Sequence, residues 1–170
     1  MHRPWFIEDN KVSFTSDGLN CHMCRGPLGT WCGYVGIPKS HPWYGKSYSA
    51  EVKPSPEMLT NRHENDHGSI DLFCAMLSET SSNESLSISL CMRVHGGLTY
   101  ANDHHPYAKP DGLWWFGFDC AHFGDLVPVF AEQFDRLQIL RNNEVYRDQQ
   151  YVVAECQSLA AQLVKIGTNE

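Results

Sequence analysis

The chain has 170 residues, of which 42% are hydrophobic and 12% aromatic; it is long enough for one domain with a real core and too apolar for wholesale disorder. Thirteen Lys and Arg stand against twenty Asp and Glu, a formal charge of -7, and the basic residues are scattered, which argues against a dedicated nucleic-acid binder. No apolar run approaches the roughly 18 residues of a spanning helix, and the N-terminus lacks a secretory pattern. The expectation is a cytoplasmic protein without membrane association or direct nucleic-acid binding. Its seven cysteines are then mostly reduced, and an odd count leaves one unpaired in any monomer.

We read residues 1–170 as a single globular α+β domain, with residues 1–28 set apart as an N-terminal extension. Cys21-His22-Met23-Cys24, with Cys32 and His41, has the donor types of a tetrahedral zinc site. The second Cys-x-x-Cys pair of a strong zinc signal is missing, so ordinary reduced thiols are the preferred reading. Gly29 to Pro38 reads as a strand, with glycines where a backbone or ligand can come close, and Pro38 ends it. Ser40-His41-Pro42-Trp43-Tyr44-Gly45 is a compact turn in which His41 is biased toward an extended backbone. His41 and Tyr44 are therefore candidates for the rim of a ligand pocket. A short strand is expected over Tyr48 to Lys53, a short helix over Glu57 to His63, and a turn at Asn65 to Gly68, with His63 and His67 on the surface. Ile70 to Leu77 is an apolar run open to strand or helix, and Ser78 to Ser85 is a polar loop.

Leu86 to Val94 alternates apolar and polar residues and reads as a strand. It ends in His95-Gly96-Gly97, where two glycines permit a left-handed turn that presents His95 and exposed backbone N–H groups. A strand inserted near Leu98 to Ala101 would leave the flanking strands parallel. The loop from Asn102 to Gly112 crosses beside the pocket, from which Tyr100 is a further candidate ligand contact along with Gly96 and Gly97.

Leu113 to Phe118 is an apolar, centrally buried strand that breaks into Asp119, His122, Gly124 and Asp125. A carboxylate and imidazoles delivered from two strand ends can bind a divalent metal or act as an acid–base pair. His95, Asp119 and His122 are thus the candidate catalytic residues and the candidate metal ligands; the cofactor is otherwise open. Asp125 reads as the N-cap of a helix carrying Leu126, Phe130, Phe134, Leu137 and Leu140 on one stripe. A second helix carries Val145, Val152, Cys156, Leu159 and Leu163. Both are expected to pack as a pair on one face of a central mixed sheet, with Tyr146, Arg147 and Tyr151 the residues of the second helix within reach of the pocket, surface placement being the preferred reading.

Together the strings Gly33-Tyr34-Val35-Gly36-Ile37-Pro38, His41-Pro42, Val94-His95-Gly96-Gly97-Leu98-Thr99-Tyr100 and Trp114-Trp115-Phe116-Gly117-Phe118-Asp119-Cys120-Ala121-His122 resemble an uncharacterised family of small bacteriophage and prophage proteins. The resemblance spans residues 29–165 and implies an origin in a mobile element, hence the cytoplasm of an infected or lysogenic host. It also implies an accessory role: antagonising host defence, sequestering a small nucleotide, or a minor step of nucleotide metabolism. Three functions compete. The first is metal-assisted or His/Asp acid–base hydrolysis of a nucleotide-like or phosphate-containing substrate. The second is non-enzymatic binding of a small nucleotide or a host protein, and the third a structural part of a virion. Self-association is left open.

Overall fold

The computed structural model describes residues 3–54, 85–137 and 143–168. The expected helix at 57–63, the turn at 65–68 with His63 and His67, the apolar run at 70–77 and most of the polar loop at 78–85 lie outside the described residues.

Five strands form one sheet: β1 (Lys11–Ser16), β2 (Leu19–Arg25), β3 (Trp31–Ile37), β6 (Tyr100–Asn102) and β7 (Trp114–Asp119), in the order β1-β2-β3-β7-β6. The α+β class is as expected, and the sheet is antiparallel in every pairing rather than mixed. The segment set apart as an extension supplies two of its strands. Asp17 and Gly18 take φ of 50° and 79° in the turn joining β1 to β2, the paired left-handed conformation that matches strand twist in a two-residue hairpin.

The stretch expected as a strand from Leu86 to Val94 is different. Only Leu86–Ser87 (β5) is extended, pairing with Glu51–Val52 (β4) in a separate two-stranded sheet, and Ile88–Cys91 (α1) forms a single helical turn. Ser87 caps that turn, its hydroxyl accepting from Leu90 N, and Ile88 and Cys91 turn inward. A local cap defeats the period-two pattern here because one helical turn needs only four residues.

Two helices follow, α2 (Pro128–Arg136) and α3 (Gln149–Thr168). Helix α3 lies across β1, β2 and β3, burying Val152, Cys156, Leu159, Ala160 and Leu163 against Met23, Trp31, Val35, Ile37, Phe116 and Phe118. Each fully buried large aliphatic side chain contributes about 1.5–3 kcal/mol. The close approach depends on Gly33, where an added Cβ would lie 2.6 Å from Cys156 Sγ. Helix α2 sits instead at the β2–β3 turn, where Val129 N donates to Leu28 O. Its expected apolar stripe is not a core face: Phe130 and Leu137 are exposed, and Pro128 and Ala131 are the buried residues.

The N-terminal segment is clamped to the helical layer. Arg3 pairs with Asp135, and Trp5 Nε1 donates to Glu132 Oε1. Glu8 is the hub: Oε2 accepts from Arg25, Trp31 and Tyr146, and Oε1 accepts from Gln149 N at the start of α3. Among the described residues no helix is long and apolar enough to cross a membrane.

Candidate functional site

The polar groups gather where three separate segments meet: the turn after α1, the turn after β7, and the approach to α3. The turn after β7 is held open by its own carboxylates. Asp119 Oδ1 accepts from Ala121 N, Asp119 Oδ2 accepts from Thr99 Oγ1, and Asp125 Oδ2 accepts from His122 N. Residue 145 joins this turn by a parallel bridge to Asp125, with Leu126 N donating to Val145 O and Val145 N to Gly124 O. That bridge keeps residues 143–148 out of the helix and carries Arg147 to the site. Arg147 and Tyr151, expected on the surface, thus both reach inward, while Tyr146 is spent on Glu8.

Asp125 is the centre of the cluster and not an N-cap; the N-cap of α2 is Val127. Its side chain is 1% exposed. Oδ1 accepts from Arg147 Nε at 2.9 Å, and Oδ2 from His95 Nε2 at 2.7 Å and His122 N at 3.0 Å. Burial by itself pushes the carboxyl up, but the hydrogen bonds from Arg147, His95 and the His122 backbone outweigh it and hold Asp125 below the ordinary carboxylate range.

His95 has both ring nitrogens engaged. An ionised carboxylate only accepts, so Nε2 carries the proton toward Asp125, and in the neutral ring Nδ1 accepts from Tyr151 Oη at 3.0 Å. His95 N donates to Glu155 Oε2 at 2.7 Å, which fixes the backbone as well as the ring. A hydroxyl, an imidazole and a carboxylate thus stand in the donor order of nucleophile, base and orienting acid. Burial and the nearby Glu155 push the Tyr151 phenol up, so it serves here as a neutral hydrogen-bond donor.

His122 is different. Its side chain is one-third exposed (33%), yet Nδ1 is buried without a hydrogen-bond partner. That atom lies 3.7 Å from Asp125 Oδ2 and 3.9 Å from Asp119 Oδ1, too far to bond either. The His95 and His122 rings face each other edge to face at 5.4 Å. Gly96 makes room for this: its φ is +66°, and a Cβ there would lie 2.1 Å from His122 Cε1. Gly97 is also left-handed, at +84°.

Of the residues expected at the site, His95, His122, Gly96 and Gly97 come together, and Asp119 stands at its edge. His41 does not reach it. It is buried, accepts at Nδ1 from Trp43 N, and donates from Nε2 to Leu163 O on α3. Tyr44 bonds Gly112 O and leans on Trp114. Tyr100 belongs to a second cluster with Cys24, Cys32, Tyr34, Leu113 and Trp115. Four residues were missed as site members: Asp125, Arg147, Tyr151 and Glu155.

The Cys21–Cys24–Cys32–His41 set does not assemble. Cys24 and Cys32 are cross-strand neighbours within that second cluster, Cys21 belongs to the main core, and His41 is bound to α3. Burial pushes the Cys21 and Cys32 thiols up to about 11, which keeps them protonated and poor as ligands. None of the six described cysteines is in a disulfide.

No family model matches the chain, and no curated protein or solved structure resembles it significantly.

Proposed function

We propose that this chain hydrolyses a phosphate-containing, nucleotide-like substrate, in the cytoplasm of a bacterium carrying the phage or prophage that encodes it. The observation that carries this reading is a shared carboxylate: Asp125 fixes an arginine through Nε while holding His95 and the turn that bears His122. Among the described residues nothing bonds the two terminal nitrogens of Arg147, whose side chain is 29% exposed. A guanidinium fixed at one edge and open at the other is a receptor for a phosphate oxygen. The imidazoles beside it supply a place for water to be activated. In the step, the water oxygen bonds phosphorus and its proton passes to the cluster. The bond from phosphorus to the leaving oxygen breaks, and that oxygen takes a proton back. The test is a panel of nitrophenyl phosphate esters and nucleotides, assayed with and without added divalent metal. Turnover is expected to fall at least 100-fold in His122→Ala, while Arg147→Ala mainly raises KM. Absence of turnover across the panel overturns the reading.

A second reading is binding without chemistry, of a small nucleotide or a host protein. It is favoured by Phe123, which is fully exposed next to His122; among the described residues nothing packs on this ring, which suits stacking or a protein contact. Tight binding of a nucleotide without turnover would select it.

A further inference from the structure

We infer that His95, His122 and Asp125 are the protein ligands of a divalent transition ion, with zinc as the best fit. This deepens the hydrolytic reading and rests on it for what the ion does, not for whether it binds. Each of the three side chains offers one ligand atom, and these atoms all lie within 4.8 Å of one another. With Zn–N and Zn–O bonds near 2.0–2.1 Å, a tetrahedral ion sets its donors about 3.4 Å apart. Two edges of the triangle bracket that value: His95 Nε2 to Asp125 Oδ2 is 2.7 Å, and His122 Nδ1 to Asp125 Oδ2 is 3.7 Å.

His122 Nδ1 decides the assignment. A ring nitrogen buried without a partner costs stability unless something it can bind occupies the space before it. It stands 3.7 Å from Asp125 Oδ2 and 3.9 Å from Asp119 Oδ1, and a cation shared with Asp125 Oδ2 and His95 satisfies it, with Asp119 outside the ligand set. His95 exchanges its bond to Asp125 for a bond to the ion. Its ring proton then moves from Nε2 to Nδ1, which donates to Tyr151 Oη, now 3.0 Å away. The outer shell is thus already in place: Tyr151 on one imidazole, and Arg147 Nε on Asp125 Oδ1, leaving Oδ2 for the metal. Two imidazoles and one carboxylate suit zinc, iron or manganese better than calcium or magnesium, which prefer oxygen alone. Three protein ligands leave a position open for water, the pattern of catalytic rather than structural zinc.

The test is titration of chelator-treated full-length protein with Co(II). The expected result is one equivalent bound, with visible d–d bands, no thiolate charge-transfer band, and displacement by Zn(II). In the wild type, the ring protons of two histidines, His95 and His122, should show paramagnetic shifts. His122→Ala and His122→Gln should each weaken binding at least tenfold while keeping the near-ultraviolet circular dichroism of the fold, and His104→Ala should leave the isotherm unchanged. Three results overturn the inference: no stoichiometric binding, wild-type affinity in both His122 variants, or a thiolate charge-transfer band that moves the ion to the cysteines. Should both His122 variants unfold, the paramagnetic shifts alone decide. Turnover without a bound equivalent overturns the metal site and leaves hydrolysis standing; a bound equivalent without turnover does the reverse.

Discussion

His95 and Asp125, thirty residues apart in the chain, meet at 2.7 Å through Nε2 and Oδ2, with Arg147 closing on the other carboxylate oxygen at 2.9 Å. Replacing that carboxylate by an amide removes the charge facing the guanidinium and the imidazole and sets an NH2 group, not an acceptor, opposite one of the two donors. Asp125→Asn should therefore destabilise the protein by about 2–4 kcal/mol in urea unfolding. A loss below about 0.5 kcal/mol would mean that the network carries no stability.

The same carboxylate sets an acid limb. Its folded pKa is depressed, so its contribution is fully present above the ordinary carboxylate range and is lost as pH falls through the folded value. Below pH 4, the wild type should lose stability more steeply than Asp125→Asn. Parallel curves would contradict this.

A second limb, at higher pH, belongs to the far face of the sheet. His22 accepts or donates at Nδ1 with Ser13 Oγ and stacks on His105 at 3.9 Å. Burial, then the neighbouring His105 and Lys11, lower its pKa from 6.5 to about 4. The unfolded chain takes up this proton first, so stability falls as pH drops from about 6.5 to about 4, by on the order of 3 kcal/mol. His22→Gln should flatten the curve in that window. If the wild type is equally stable at pH 7 and pH 4.5, the histidine is not held neutral.

Gly96 and Gly97 separate backbone strain from steric clearance. Both are left-handed, at +66° and +84°, but only a Cβ at 96 would collide with His122, at 2.1 Å, whereas one at 97 would meet Ser89 Oγ at 3.3 Å. Each alanine variant should cost about 1–2 kcal/mol for the backbone. Only Gly96→Ala should also displace the His122 ring, read as a shift of its imidazole resonances. Equal shifts in both variants would refute the clearance argument.

His41 is predicted to matter for stability alone. His41→Ala removes the bonds to Leu163 O and Trp43 N in a buried setting and should cost about 2 kcal/mol. Any turnover or ion binding at the site should be unchanged at temperatures where the variant is folded.

The sequence revealed the parts of this molecule whose signal is local. Trp31–Ile37 and Trp114–Asp119 are apolar runs bounded by Pro38 and by a polar turn, and both are strands. The hairpin of Lys11–Ser16 and Leu19–Arg25 carries its own signal, Asp17-Gly18 between alternating residues. The placement of His95 near His122 was legible because both sit at polar turns after apolar runs, although the route was different: the first run ends in a helical turn. The roles of Asp125 and Arg147 were not legible. An Asp three residues ahead of Pro128 is indistinguishable from a cap until a distant strand-like bridge, Asp125 to Val145, brings Arg147 and claims its oxygens. His41 misled for a related reason, since a fixed, buried histidine in a ring-rich loop serves docking as well as it serves binding.

Glu8 touches none of the groups gathered at Asp125, yet it accepts from Gln149 N and Tyr146 Oη at the two ends of the approach to the helix that carries Tyr151 and Glu155. A saturation scan for activity would therefore score Glu8 beside His95 and Asp125. Temperature separates the two kinds of hit. Cooling reseats the helix in a Glu8 variant and restores its signal, whereas a variant lacking a reacting group stays silent at every temperature.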